Sequence, residues 1–521
     1  GSGARQASLP ALGWFGVPVT TATGSGRLRL ELAVADLTLG LDGAVAESGD
    51  RASGQARTGT RDGAGTEAGE FELHAAGAMD EEQYRPWLGH YAGAGRAVSL
   101  HLQSDDFFGE LVAVYLEGSD LVRLHPAGFL RFVSERAEIV TLDAAAPGAA
   151  LTIARAGAGP GADGNGGPGH QARLRRADLW TEQDVVFPGP AGRLAGTLMT
   201  PPGDGPHAAI ALVHGAGGGR RDFYRIFGEQ FARAGLAALI FDKRGHGASA
   251  GDAADSTMAA RSQDAEAALD FLRARPGIAA GRVGLYGFSN GAWSVPMVAG
   301  RRPDLAFVVV MGAPGVTPAA SEVHRKVFEL REQGVPAAEC ALAGRMWELI
   351  YRFRLTGSWE PADTAFFDDA ARRLRASPAI AGLRLQQYAI DEPFLAPVPP
   401  YPTAEAVLAD RPDGEDTAWA YDPVPDYERS RCPVLFTIGE LDQNVPGPES
   451  ARRVGAVLGT AGHPGSVVRV FPGTGHMMNL SDSSGLHGMT TEEASYRFHR
   501  FRFAPGFLEL LRDWSARQAR G

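Results

Sequence analysis

The chain has 521 residues, a formal net charge of −11 and a sequence pI of 5.7. That acidity argues against a nucleic-acid polyanion as its main partner, because phosphate binding needs a basic surface. No run approaches the roughly 18 uninterrupted apolar residues of a membrane span.

Hydrophobic residues make up 44% and charged residues 21%, so a sizeable core is expected. At about 150 residues per domain, two to four domains are expected. Cys340 and Cys432 are the only cysteines, too few for a disulfide framework or a thiolate metal cluster. Lysine appears only at Lys243 and Lys326, so the basic residues are nearly all arginine, which reads as codon usage rather than function. A soluble protein is expected, cytoplasmic or secreted after loss of a signal peptide.

From the N-terminus the patterns are β. Leu28, Leu30, Leu32 and Val34 alternate with Arg27, Arg29, Glu31 and Ala33. Short apolar runs follow at 98–102, 111–116, 121–124, 139–142 and 151–153. Period-2 runs at this spacing predict an antiparallel sandwich or small barrel over residues 1–154, with no catalytic constellation of its own. Residues 42–70 are rich in Gly, Ala, Ser and charge and read as a long surface loop. Residues 155–176 begin with a Gly-rich stretch and read as an interdomain linker.

From 177 to 521 strands alternate with helices. An antiparallel strand pair is predicted within 185–200. Buried strands are predicted at 208–213, 236–241, 283–286, 307–311, 434–438 and 467–471. Helices are predicted at 223–234 and 258–275. Apolar strands separated by helices indicate a parallel sheet covered on both faces. About 120 residues separate the strands ending at Met311 and starting at Val434, too many for one crossover. Helical patterns at 321–333, 336–354 and 361–376 predict a helical cap over 316–428, with Pro336 and Pro361 in first turns. Its aromatic stripe reads first as cap core. Trp347, Tyr351 and Trp359, with Phe288 outside the cap, are the candidates for an apolar substrate pocket.

Gly287-Phe288-Ser289-Asn290-Gly291 fits the G-x-S-x-G turn, in which a nucleophilic serine sits where a strand meets a helix. With 68 glycines the bare pattern recurs by chance, and Gly247-Ala248-Ser249-Ala250-Gly251 matches too. Context separates them: Ser289 lies between a predicted strand and a helix, whereas Ser249 lies in a loop and is assigned a structural turn role.

A serine nucleophile needs a base and an orienting acid. Asp442 and His476 each follow a predicted strand, in the order Ser, Asp, His. Glu440 is the rival acid, but Asp442 falls further along the turn. His214-Gly215-Ala216-Gly217-Gly218-Gly219 lets backbone N–H groups approach a developing oxyanion, with Ala216 and Asn290 as the donors. Phosphate binding is the other use of such a loop, but the lysine and spacing of a P-loop are missing. His214 reads as a structural hydrogen-bonder, and an Asp242/Arg244 network is expected to support the loop after Phe241.

Residues from about 177 to 518 resemble the α/β-hydrolase superfamily. The resemblance rests on five motifs in order: His214 to Gly217, Asp242 to Gly247, Gly287 to Gly291, Gly439 to Pro446 and Gly475-His476. It is closer to bacterial carboxylesterases with an N-terminal β domain, where Trp14-Phe15-Gly16 looks like the domain's opening. It is more distant to the prolyl-oligopeptidase and dienelactone-hydrolase branches.

The resemblance implies a serine hydrolase cleaving a small-molecule carboxylic ester through an acyl-enzyme, with no cofactor or metal. A peptidase, an acyltransferase or a thioesterase would use the same triad. The first 155 residues are too few for a seven-bladed propeller at roughly 40–45 residues per blade. A non-enzymatic binding scaffold is the remaining alternative, disfavoured because no triad residue is missing. Pairing as a homodimer is left open.

Overall fold

A computed structural model describes residues 85–102, 148–155, 171–217, 219–383, 396–410, 417–460, 463–480 and 503–520, with further strand segments between residues 6 and 142. The chain divides into two compact units, the first running to Leu179 and the second starting at Trp180.

In the first unit eight antiparallel strands close a barrel. Their order is Leu111–Tyr115, Asp120–Pro126, Arg131–Ser134, Glu138–Leu142, Ala150–Arg155, Gln171–Arg176, Gly89–Gly93 and Arg96–Leu102, which returns to the first. Tyr91, Val98, Leu100, Val140, Leu142, Leu151, Ile153 and Leu174 are buried together. Alternate residues of a strand face one side, so one polar and one apolar set suffice to define a barrel interior. Arg176 fastens the closure, donating to the Leu88 carbonyl at 2.7 Å and to the Pro86 carbonyl at 3.3 Å.

Two sequence expectations change here. Gln171–Arg176 lies within the stretch read as linker, yet it is the strand that pairs Ala150–Ala154 with Tyr91–Ala92 and closes the barrel. Residues 156–170 lie outside the described residues. The stretch 42–70 is not one loop: Leu37–Val45, Arg51–Thr60 and Glu67–His74 are consecutive strands of a five-stranded antiparallel sheet. Ladder hydrogen bonds come from the backbone, so small and polar residues can pair without an apolar signature.

The second unit is a doubly covered, mostly parallel sheet. Its strands are β1 (Thr181–Gly189), β2 (Gly192–Thr200), β3 (His207–Val213), β4 (Ala237–Phe241), β5 (Ile278–Phe288), β6 (Val308–Met311), β7 (Val434–Gly439) and β8 (Val467–Phe471). They lie in the order β1-β2-β4-β3-β5-β6-β7-β8. β1 and β2 form a hairpin, β2 runs antiparallel to β4, and β3 to β8 are parallel. β4, β6 and β7 are buried at every position, as a sheet covered on both faces requires.

The helices are α1 (Arg225–Arg233), α2 (Met258–Arg273), α3 (Gly291–Arg301), α4 (Pro318–Glu332), α5 (Ala337–Thr356), α6 (Pro361–Arg375), α7 (Gly447–Thr460) and α8 (Phe507–Arg520). The side chains of Thr257 and Thr317 cap α2 and α4 by accepting from backbone N–H groups of their first turns. Pro336 stands one residue before α5, where its missing N–H is no loss. Among the described residues, α4 to α6 and four short helical segments fill the interval between β6 and β7, and most of them pack together. They share a core of Cys340, Met346, Trp347, Ile350, Tyr351, Phe367 and Leu374.

Leu285 is fully buried at the middle of β5, between β3 and β6. Leu285→Ala is expected to cost about 2–5 kcal/mol through lost burial and the cavity left behind. Thermal unfolding should show the transition of this unit moving down by several degrees.

Candidate active site

Parallel strands end together on one edge, and their registers set which loops meet there. Val213 is level with Gly287, Phe288 with Met311, and Gly439 with Phe471. The loops after β3, β5, β7 and β8 therefore converge at the carboxyl edge of the sheet, where open α/β sheets build their sites.

Ser289 follows β5 directly and holds a φ of +53°, a left-handed backbone that few non-glycine residues adopt. The conformation is held from both sides. Ser289 N–H donates to the Met311 carbonyl at 3.0 Å, and its own carbonyl accepts from Ala292 N–H at 2.8 Å. Helix α3 then leaves so close to β3 that a Cβ on Gly291 would come within 2.5 Å of the Val213 carbonyl oxygen. Of the two G-x-S-x-G matches, only this one joins a strand to a helix. Ser249 instead fastens a loop: its hydroxyl donates to the Asp242 carbonyl at 2.7 Å and accepts from Ala195 N–H at 3.0 Å.

The other predicted catalytic residues meet Ser289. His476 Nε2 lies 2.9 Å from Ser289 Oγ, and His476 Nδ1 lies 2.8 Å from Asp442 Oδ2 and 3.0 Å from Oδ1. A carboxylate only accepts, so Nδ1 carries the hydrogen and Nε2 is left to accept from the serine hydroxyl. Asp442 Oδ1 also accepts from the N–H groups of Asn444 and Val445, both at 2.9 Å. Glu440, the rival acid, is exposed and accepts from Gly473 N–H. Asp442 and His476 are buried, whereas Ser289 is partly open.

The Gly-rich loop after β3 presses against the serine: a Cβ on Gly215 would stand 3.2 Å from Ser289 Cβ. Gly215 N–H donates to the Tyr224 hydroxyl at 2.7 Å. Lys243 Nζ, buried, donates to the Ala216 carbonyl at 3.0 Å and the Gly217 carbonyl at 2.9 Å. These bonds hold the peptide planes around Ala216. Asn290, the other predicted donor, immediately precedes α3.

The loop after β4 is braced by two ion pairs rather than one shared network. Asp242 binds Arg221, at 2.9 Å between Oδ2 and the guanidinium, while Arg244 forms a two-bonded pair with Asp264 at 2.7 Å each. Both residues of the expected Asp242/Arg244 network brace the loop, but through separate partners: Arg244 reaches Asp264 of α2, and Arg221 supplies the cation beside Asp242. Burial alone would raise Asp242, but the bonds from Arg221 and Ala248 outweigh it and hold the carboxyl below its usual value. His246 turns back on the Arg244 carbonyl at 3.0 Å.

Of the pocket candidates, Phe288 packs beside His476, with ring centroids 5.2 Å apart. Phe223 extends this aromatic wall at 6.1 Å from Phe288. Trp347, Tyr351 and Trp359 are placed in the packed core of the helical segment between β6 and β7. Trp347 is fully buried and donates to the Pro397 carbonyl at 3.0 Å, Tyr351 stacks near Trp419, and Trp359 donates to Thr364 Oγ1. An amphipathic stripe buries its aromatic side first, which is why spacing alone could not send them to the site.

Sequence reasoning missed Tyr224, Gln443, Ser321 and His324. Gln443 Oε1 accepts from His476 N–H at 3.3 Å. Ser321 and His324 reach the Asp442 turn from α4. Gln443 lies inside the Gly439 to Pro446 motif but was given no role there, whereas Ser321 and His324 contact residues more than a hundred positions away, so no local signal existed for them. Among the described residues no group of three or more His, Cys, Asp or Glu could hold a metal ion.

His214, buried between the rings of Tyr224 and Phe241, is pushed down to about 3 by burial first and by the Lys243 charge second. An unfolded histidine titrates near 6.5, so between about 6.5 and 3 the unfolded chain binds the extra proton. Stability from the neutral ring is complete above that window and is lost as pH falls through it. Melting curves from pH 7 to pH 4 should show a shallower acid decline for His214→Gln than for wild type.

The chain is similar to several known proteins. A curated relative, the uncharacterized 31.7 kDa protein in the traX-finO intergenic region of Escherichia coli, is 32% identical over 102 residues. That stretch is 20% of this chain, and the chain spans only 36% of the relative's length. Similar solved structures include an esterase of Pyrococcus furiosus (16% identity, 58% of this chain, 85% of that one, TM-score 0.33). Others are 2,6-dihydroxy-pseudo-oxynicotine hydrolase (14%, 65%, 68%, 0.35) and the carboxylesterase EstE1 from a metagenomic library (14%, 65%, 88%, 0.35). The profile of the alpha/beta hydrolase family matches residues 210–486, more than half of the chain, and the protein belongs to that family.

Proposed function

We propose that the protein is a serine hydrolase that cleaves a carboxylic ester of a small molecule through an acyl-enzyme. The observation that carries this reading is the unbroken chain of contacts from Ser289 Oγ through His476 to Asp442, set on a left-handed strand-to-helix turn. Ser289 attacks the ester carbonyl while His476 Nε2 takes its proton. Asp442 stabilises the imidazolium and keeps its Nδ1–H aimed away from the serine.

The tetrahedral oxyanion is received by the backbone N–H groups of Ala216 and Asn290. Such preorganised donors contribute on the order of 10²–10³ in rate each. His476 then returns the proton to the leaving alcohol, and water repeats the sequence to release the acid. Phe288 and Phe223 provide an apolar, aromatic wall beside His476 for the acyl or aryl group.

Hydrolysis of an ester series of graded acyl length, run beside an aminoacyl anilide, tests the reading. Ester turnover is expected in wild type, with Ser289→Ala and His476→Ala inactive yet folded. Asp442→Asn should retain binding and lose about 10³–10⁴-fold in kcat, because the amide favours the wrong imidazole tautomer. Ester turnover by Ser289→Ala would overturn the assignment, and turnover of the anilide alone would move the protein to peptidase chemistry.

A further inference from the structure

We propose that the cap is a working part of the triad: Ser321 and His324 of α4 are positioning residues that hold the turn carrying Asp442. The inference rests on the serine-hydrolase reading and extends it to residues that touch neither substrate nor the reacting atoms.

The turn between β7 and α7 is held from two sides. Its first half is fastened to the loop after β8: Glu440 N–H donates to the Phe471 carbonyl and Leu441 N–H to the Thr474 carbonyl, both at 2.9 Å. Its second half is fastened to the cap. His324 Nε2 lies 2.8 Å from the Asp442 carbonyl oxygen, and Ser321 Oγ donates to the Asn444 carbonyl at 2.9 Å. A carbonyl only accepts, so Nε2 carries the hydrogen. Burial, the leading influence, lowers the basicity of His324, while the bond to the Asp442 carbonyl acts in the opposite sense.

Ser321 and His324 are three residues apart, so one face of α4 delivers both bonds. The carbonyls they bind flank Gln443, whose side chain holds the backbone of His476. Between the two carbonyls the peptide of Asn444 also donates to the Asp442 carboxylate. The seating of α4 therefore reaches the acid, the base and the spacing between them in one turn of chain. A displacement near 1 Å at such a group can cost on the order of 10²-fold in rate.

The test compares wild type with His324→Leu, Ser321→Ala, the double variant and His324→Gln. The readouts are kcat and KM on the preferred ester, melting temperature, and the downfield proton signal of the His476–Asp442 hydrogen bond. The double variant is expected to lose about 10–100-fold in kcat with KM nearly unchanged, and to broaden or shift the downfield signal. His324→Gln, whose amide N–H can reach the same carbonyl, should recover most of the loss, which a packing role would not predict.

If the double variant does not fold, Ser321→Ala removes a single hydroxyl and is expected to lower kcat severalfold on its own. A folded variant with wild-type kcat and an unchanged downfield signal would overturn the proposal. Failure of the hydrolase reading looks different: wild type would show neither ester turnover nor phosphonate labelling of Ser289. In that case the downfield signal alone decides whether α4 holds the acid.

Discussion

The close approach of α3 to the end of β3 is the constraint on which the site depends. Gly291 has no room for a side chain against the Val213 carbonyl, so the chain must turn from strand to helix within Ser289 and Asn290. That turn forces the left-handed φ of Ser289 and lifts its side chain off the sheet edge. A serine there, at the middle of a parallel sheet, is within reach of loops from the neighbouring strands. His476 and Asp442 meet it because β7 and β8 end level with one another on the same edge. The strain of one residue is thus held by hydrogen bonds from β6 and α3 on either side.

Around this point several polar groups are held by specific partners. The chain uses arginine almost everywhere for positive charge, and its two lysines are both buried. Lys243 sits between two carbonyls of the Gly-rich loop, where a compact ammonium fits and a planar guanidinium would not. Lys326 lies over the Trp347 ring in the cap, with its ammonium 4.1 Å from the ring centroid. The arginines that matter near the site, Arg221 and Arg244, instead use their forked geometry on carboxylates.

The cap has two separate tasks. Its aromatic residues pack into a core of their own, while Phe288 and Phe223 of the sheet unit lie beside His476. Its first helix meets the acid turn. A cap built this way is continuous with the catalytic edge at α4.

Local sequence determined the strands and helices of the second unit and the placing of Ser289, not Ser249, between a strand and a helix. The physical reason is that periodicity, capping and the glycines of a tight turn act over a few residues, so they leave a readable trace. The strands within 42–70 left little, because backbone ladders between small or polar residues carry no apolar pattern, and the closing strand at 171–176 offered only Ala172 and Leu174 beside a Gly-rich stretch. Only the tertiary structure decided which aromatic residues face the site, that Arg221 rather than Arg244 pairs with Asp242, and that α4 grips the Asp442 turn. Each of those depends on where distant segments come to rest, and a contact between residues a hundred positions apart is specified by the packing of the whole sheet.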